Sequence, residues 1–284
     1  MPTAATHAQL ESLLVDDVPH GDLTTEALGI GGAAAMMEFS ARDPMVLALA
    51  EDAAAIVELC GCRVDLLLPS GTALESGTPI LKAQGSAAGL LRSWKVAQTL
   101  IEVWSGVATA ANEIVKAATI VSPGTVVACT RKNTPGTKRF AVAAIKAGGA
   151  VMHRLGLSET VLVFPEHRTF LGDEPLAAIA ERLKRSCPEK KLVIEVTTIE
   201  VAIAAAEAGF DVVQLEKFAP SDVATLVKRL AGVPRRPAVA VAGGVNSANA
   251  AAYARTGADV LVTSSPYLAK PRDVQVRIRP AESS

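Results

Sequence analysis

Aromatic residues are scarce in this chain. Phe, Trp and Tyr make up 4% of its 284 residues, while hydrophobic residues as a whole reach 50%. A core of that size must be built from Ala, Val, Leu and Ile, the mix expected where Ala-rich helices pack on parallel strands of β-branched residues. A dominant charge is lacking too: 28 Lys and Arg stand against 29 Asp and Glu, the pI is near 6.5, and no basic tail is present. That balance argues against nucleic acid as a partner. Cysteine is sparse, with Cys60, Cys62, Cys129 and Cys187, too few for a disulfide scaffold at this length. Cys60-Gly61-Cys62 is too tightly spaced for the usual zinc knuckle and has no second pair, so structural thiols are expected. No apolar run is long enough to span a bilayer, and the first residues lack the succession of an export signal. A soluble cytoplasmic protein without a membrane partner is expected.

The length allows one large domain or two moderate ones, and the punctuation changes part-way along. Residues 4–15 predict a short amphipathic helix, and 16–25 a loop rich in Asp, Thr, Pro and Gly. Strand character at 36–40 and 45–49 is followed by a helix over 51–59, a strand at 63–68 and a further strand at 80–84 among Ser-Gly and Gly-Thr-Pro turns. This front section reads as α+β. A helical stretch over 87–119, expected to break near Ser105-Gly106, forms the hinge. Strand then alternates with helix: strands at 126–130, 150–152, 161–163, 192–196, 212–215, 238–242 and 260–263, and helices at 139–146, 174–184, 199–208, 220–230 and 248–256. That alternation implies a parallel sheet closed or nearly closed into a barrel. Gly209 and Gly257 follow two of the helices as left-handed stops.

The densest chemistry lies between Thr130 and Arg154. Arg131 and Lys132 follow a buried strand, and His153 and Arg154 follow the next. Lys138, Arg139 and Lys146 suit a solvated helix face, but Arg131, Lys132 and Arg154 adjoin apolar runs. Parallel sheets place ligand groups at the carboxyl ends of their strands. There the rim would carry Arg131, Lys132, His153, Arg154, Phe164 to His167, Glu195, Glu216 and Gly243-Gly244. Arg offers a planar fork to carboxylate or phosphate, and Lys a mobile point charge. The glycine pair would free backbone amides for a phosphate. Glu195 and Glu216 suit a divalent cation or a developing positive charge on a ribose. The set fits a substrate with phosphates at one end and a carboxylated ring at the other.

The motifs TRKNTPG, HRLGLSE, the strand ending at Glu195, LEKF and AGGV, with GDLTT and SGVAT before them, resemble those of the quinolinate phosphoribosyltransferases over nearly the whole chain. The resemblance implies an α/β fold with an N-terminal α/β sandwich domain, hinge helix included (1–110). An open TIM-like α/β barrel would follow (111–284), with a C-terminal tail able to pack back on the first domain. It implies a homodimer, or a dimer of dimers or trimer of dimers, with active sites shared between subunits. It also implies phosphoribose transfer from phosphoribosyl pyrophosphate to quinolinate, with Mg2+, release of pyrophosphate and loss of carbon dioxide.

Carried over by position, the resemblance makes Lys132, Glu195 and Glu216 catalytic, the two glutamates also Mg2+ ligands. Lys95, Arg131, His153, Arg154, Phe164 and His167 bind substrate, and Gly243, Gly244 and Ser264 bind phosphate. The departures concentrate at the ring end. Phe164-Pro165-Glu166-His167 stands where the family has Lys-Asp-Asn-His, and Trp94-Lys95-Val96 where it has a helical Glu-Arg-Thr whose arginine reaches the neighbouring subunit. Leu215-Glu216-Lys217 replaces Leu-Asp-Asn. These features resemble the ModD-type branch encoded with molybdate transporters. Losing a lysine from a dicarboxylate site costs roughly 3–5 kcal/mol where the pair was desolvated, so a changed acceptor is expected, with one used in molybdenum handling as the candidate. An ordinary quinolinate enzyme of NAD biosynthesis and a non-catalytic anion- or nucleotide-binding barrel are the competing readings.

Overall fold

The computed structural model describes residues 2–281. In chain order its elements are α1 (His7–Asp17), α2 (Leu23–Ala27), β1 (Ala34–Ala41), β2 (Met45–Val46), α3 (Ala50–Leu59), β3 (Arg63–Leu66), β4 (Ala73–Leu74), β5 (Pro79–Ser86) and α4 (Ala87–Thr119). There follow β6 (Val126–Cys129), α5 (Lys138–Ala147), β7 (Val151–Met152), β8 (Val161–Val163), α6 (Pro165–Thr169), α7 (Leu176–Ser186), β9 (Leu192–Val196) and α8 (Ile199–Glu207). Last come β10 (Val212–Glu216), α9 (Pro220–Leu230), β11 (Ala238–Ala242), α10 (Ala250–Ala254), β12 (Val260–Thr263) and β13 (Val274–Pro280). Two compact units result. One takes the chain up to Asn112, Thr134–Gly149 and the segment from Tyr267; the other takes Glu113–Asn133 and Ala150–Pro266.

The first unit is built on an antiparallel sheet in the order β13-β1-β5-β3. In β1, Ala35, Met37, Phe39 and Ala41 are buried at alternate positions, the period of a sheet with one covered face. Helix α3 packs on β3 and β5, and α1 packs on α3. Asp52 of α3 is buried and accepts the backbone N–H groups of Ala4 and Ala5, which pins the start of the chain.

Two local expectations fail here. The segment 16–25 is not all loop, because Asp22 accepts the N–H groups of Thr24 and Thr25, each at 3.1 Å, and so caps the short helix α2. Helix α4 is also unbroken. Gly106 serves close approach, since a Cβ there would lie 2.3 Å from the Lys270 carbonyl oxygen. Ser105 Oγ accepts the Ala48 N–H at 3.0 Å. The two residues dock backbone against the helix and leave its ladder intact.

The second unit is a parallel sheet of seven strands in the order β7-β6-β12-β11-β10-β9-β8. Strands β7 and β8 are consecutive in sequence yet stand at opposite edges, so the sheet is an open barrel. Its strands are apolar runs, as burial on both faces demands; Val213, Leu215, Val239 and Val241 are fully buried. Gly209 and Gly257 have φ of 80° and 85°, the left-handed helix stops expected of them. Helix α10 is shorter than its sequence pattern, because Asn246 and Asn249 hold the preceding residues in a hydrogen-bonded loop. All four thiols are free, and burial pushes Cys129 up to about 12, in keeping with a structural role. Among the described residues no helix is long and apolar enough to cross a membrane.

Candidate active site

Because the strands of the second unit all run the same way, their carboxyl ends share one edge. Arg131 and Lys132 follow β6, His153 and Arg154 follow β7, and Phe164 follows β8. Glu195 is the penultimate residue of β9, Glu216 ends β10, Gly243-Gly244 follow β11, and Ser264 follows β12. Backbone bonds carry the ladders past the strand ends: His153 N–H donates to Cys129 at 2.8 Å, Thr130 to Thr263 at 2.9 Å, and Lys217 to Ala242 at 2.9 Å.

One half of this rim is cationic. Arg154 is 7% exposed and forms no salt bridge among the described residues. Burial, then the charge of Arg131, pull its pKa down, though a guanidinium stays charged throughout the working range. The Phe164 ring centroid lies 5.6 Å from the Arg154 guanidinium carbon, and the same ring stacks on His167 at 5.9 Å. His167 is held there because its Nδ1 accepts the Phe164 N–H at 3.0 Å. Phe164 therefore turns toward the rim cation. His153 is half-buried, and its pKa is lowered by burial first and then by Arg154 and Arg131, with Gln214 acting the other way.

The other half is acidic. Burial raises the pKa of Glu195; Glu216 and Glu166 push the same way, while a hydrogen bond from Gln214 and the charge of Lys132 oppose it. Gln214 Nε2 donates to Glu195 Oε2 at 2.7 Å. Lys217 Nζ lies 4.0 Å from Glu216 Oε1. A Cβ on Gly243 would fall 2.8 Å from Glu216 Oε1 and 2.7 Å from Lys217 Cγ, and its φ is 85°, so a side chain there would displace the carboxylate. Gly244, with φ of 94°, opens to free space, and its carbonyl accepts the Nδ2 groups of Asn246 and Asn249. Thr263 Oγ donates to the Val245 carbonyl at 2.6 Å, which ties the strand before Ser264 to this glycine loop.

Among the described residues no group of three or more His, Cys, Asp or Glu is placed to hold a metal ion. Glu195 and Glu216 are near enough for the charge of one to raise the pKa of the other. Two carboxylates fit a Mg2+ ion that shares its remaining positions with phosphate oxygens and water. They do not make an all-protein cage.

Lys95 belongs to the other unit. It lies on α4 in the first unit, exposed, 4.0 Å from the centroid of the neighbouring Trp94 ring and 3.1 Å from Gln98 Oε1. There it lines a groove of about 450 Å³ with Leu13, Asp17, Trp104 and Thr137. Gln214 is the residue the sequence reading passed over. A polar side chain inside the run Val212-Val213-Gln214-Leu215 was the signal, since such a residue is buried among apolar neighbours.

Comparison with known proteins bears on this geometry. The family described as "Quinolinate phosphoribosyl transferase, C-terminal domain" matches residues 107–277, and the corresponding N-terminal domain matches residues 22–105. A Rhodobacter capsulatus protein named "Putative pyrophosphorylase ModD" is 48% identical over 248 residues, covering 87% of this chain and 95% of its own. The nicotinate-nucleotide pyrophosphorylase (carboxylating) of Rattus norvegicus is 32% identical over 261 residues, covering 92% and 86%. The solved nicotinate-nucleotide pyrophosphorylase of Francisella tularensis superposes with a TM-score of 0.89 over 98% of this chain and 100% of that one, at 21% identity; this likeness concerns the fold.

Proposed function

Since the chain belongs to the quinolinate phosphoribosyl transferase family and is thereby a pentosyltransferase-type enzyme, we propose that it transfers phosphoribose from phosphoribosyl pyrophosphate to a carboxylated aromatic acid other than quinolinate. The observation that carries this reading is Arg154, a buried guanidinium without a carboxylate partner among the described residues. A buried charge demands a counter-ion, and a ligand carboxylate meets that demand. Phe164 supports the change of acceptor: its ring covers the Arg154 face where a second cation would be needed for a second carboxylate.

In this reading Arg131, His153 and Arg154 hold the acceptor. A nucleophilic ring atom of the acceptor forms the new bond to ribose C1 as the C1–O bond breaks and pyrophosphate leaves with that electron pair, and Lys132 with the amides of Gly243 and Gly244 receives its charge. Glu195 faces the positive charge that develops on the ribose. Mg2+ held by Glu195 and Glu216 would supply charge neutralisation to the pyrophosphate. The active assembly in this proposal is a homodimer, with Lys95 reaching the neighbouring subunit's rim, and the acceptor in this proposal is one used in molybdenum handling.

The test measures pyrophosphate release from phosphoribosyl pyrophosphate and Mg2+ with a panel of aromatic acids, alongside sedimentation of the protein. Turnover of another acid at least about 100-fold faster than quinolinate is expected. Robust quinolinate turnover would return the chain to NAD biosynthesis, and no phosphoribosyl pyrophosphate binding at millimolar concentration would make it a non-catalytic barrel.

A further inference from the structure

Among the described residues other than glycine, two have a positive φ, Leu49 and Lys217. Leu49 opens α3 in the first unit, whereas Lys217 stands directly after β10, beside Glu216, with φ of 59°. A left-handed backbone is strained for a lysine, and such strain persists only where the surroundings impose it. Its cause lies on either side. Leu215 and Phe218 are both buried, and Tyr253 Oη donates to the Phe218 carbonyl at 3.0 Å. The Lys217 N–H still follows the ladder and donates to Ala242 at 2.9 Å. The chain must therefore turn inward within one residue, and Lys217 makes that turn with its side chain in solvent.

The turn lays the lysine stem against the glycine loop. A Cβ on Gly243 would fall 2.7 Å from Lys217 Cγ and 2.8 Å from Glu216 Oε1, so the glycine leaves room for both side chains. Gly244 beyond it opens to free space, and both glycines have positive φ, a conformation that suits a phosphate cradle. Nζ itself is weakly engaged. The Lys217 side chain is 79% exposed and lies 4.0 Å from Glu216 Oε1, and ion pairs of that kind contribute little. Nothing in the turn asks for lysine. Asparagine and glycine adopt a positive φ more readily, and the related Leu-Asp-Asn motif has asparagine here, so the resemblance gives Lys217 no role. What lysine adds is a mobile point charge on a pinned stem.

We propose that Lys217 is a phosphate-binding residue, whose Nζ swings from Glu216 onto a phosphoryl group seated over Gly243 and Gly244. The ligand class is a phosphate monoester or diphosphate. The loose pair with Glu216 is the resting position, and a charge-assisted bond to phosphate oxygen replaces it. Strand β10 neighbours β11, which carries the glycine loop, while β8 and Phe164 lie two strands from β10. A cation missing at the end of β8 is thus matched by one added at the phosphate end. In phosphoribosyl transfer the phosphate would belong to one end or the other of phosphoribosyl pyrophosphate. That bearing rests on the reading above, whereas the binding itself does not.

Calorimetry of the whole protein with Mg2+ tests the proposal, with phosphoribosyl pyrophosphate, inorganic pyrophosphate and ribose 5-phosphate as probes. Lys217→Asn should weaken phosphoribosyl pyrophosphate about tenfold, the effect of losing one charge-assisted bond. A matching loss for pyrophosphate would put Lys217 on the diphosphate, and a matching loss for ribose 5-phosphate would put it on the sugar phosphate. Lys217→Arg keeps the charge and should bind within about threefold of the parent. The melting temperature of Lys217→Asn should equal or exceed the parent's, because asparagine relieves the left-handed strain. Unchanged affinity of Lys217→Asn for all three probes would overturn the proposal, and so would an equal loss in Lys217→Arg. A parent that binds pyrophosphate through Lys217 yet transfers nothing to any acid would sink the transfer reading and leave the proposal standing. Turnover by the parent, with Lys217→Asn binding as the parent does, would do the reverse. No binding of any probe by the parent would sink both.

Discussion

The cationic and acidic halves of the rim bury charge in different ways. Arg154 is sealed in with an aromatic ring over its face and no acid beside it among the described residues. Glu195 is less buried and has a donor of its own, Gln214, at 2.7 Å. The acidic half is supplied with a partner by the protein, and in the proposed reading the cationic half takes its partner from the ligand. An uncompensated buried charge is a stability cost that binding can recover. On the proposed function, this difference makes the cationic half the place where an anion docks, and the acidic half prearranged machinery.

The strongest way to break this comparison is Arg154→Met. Affinity for the anionic acceptor should fall by roughly two to three orders of magnitude, the effect of removing one partner of a desolvated ion pair. The melting temperature of the ligand-free protein should rise, because an unpaired buried cation has been replaced by an apolar chain. Calorimetry and thermal melts read the two effects. A fall in melting temperature would mean that Arg154 has a partner within the protein and the halves are alike.

Glu195→Gln should leave binding nearly intact and lower kcat by about 100-fold, if the carboxylate acts on charge that develops during transfer. Equal losses in affinity and kcat would place Glu195 among the binding groups. Phe164→Lys should have a smaller effect, raising kcat/KM for quinolinate by roughly tenfold, because a second charge-assisted bond is worth about 1.4 kcal/mol or more. No gain in quinolinate turnover would mean that Phe164 does not select the acceptor.

The smallest effects are in pH, and here the halves should move oppositely. Burial raises the folded pKa of Glu195 above its ordinary value of 4.5. As pH rises through 4.5 the unfolded chain loses that proton first, so stability contributed below 4.5 is lost up to the folded value. Burial lowers the folded pKa of His153 below 6.5. As pH falls through 6.5 the unfolded chain gains that proton first, and stability is lost down to the folded value. Glu195→Gln should therefore stabilise the protein above pH 4.5 and not below it, and His153→Gln should stabilise it below pH 6.5 and not above it. Melting temperatures from pH 4 to pH 8 check both signs.

The strands of the second unit were legible because most are compact apolar runs rich in valine and buried on both faces, β9 to β12 above all. Helix α2 and the intact α4 were not, for opposite reasons. Around Asp22, Pro19 and Gly21 read as loop, and the cap that starts a helix is a single side chain bonding two amides. At Ser105-Gly106 the residues that usually weaken a helix face the backbone of Lys270 and Ala48, neighbours far away in sequence.

Local patterning alone determined which residues form the rim. Once strand and helix alternate, the strands are parallel, and every strand-end residue from Arg131 to Gly244 must share one edge. Tertiary structure decided what each of them is doing there. That Arg154 is buried without an acid among the described residues, that Phe164 turns onto its face, and that Gln214 donates to Glu195 depend on sheet order and register. These bring together β7, β8, β9 and β10, whose residues are scattered along the chain. Burial and partnership are properties of that assembled surface, and no single stretch of sequence encodes either one.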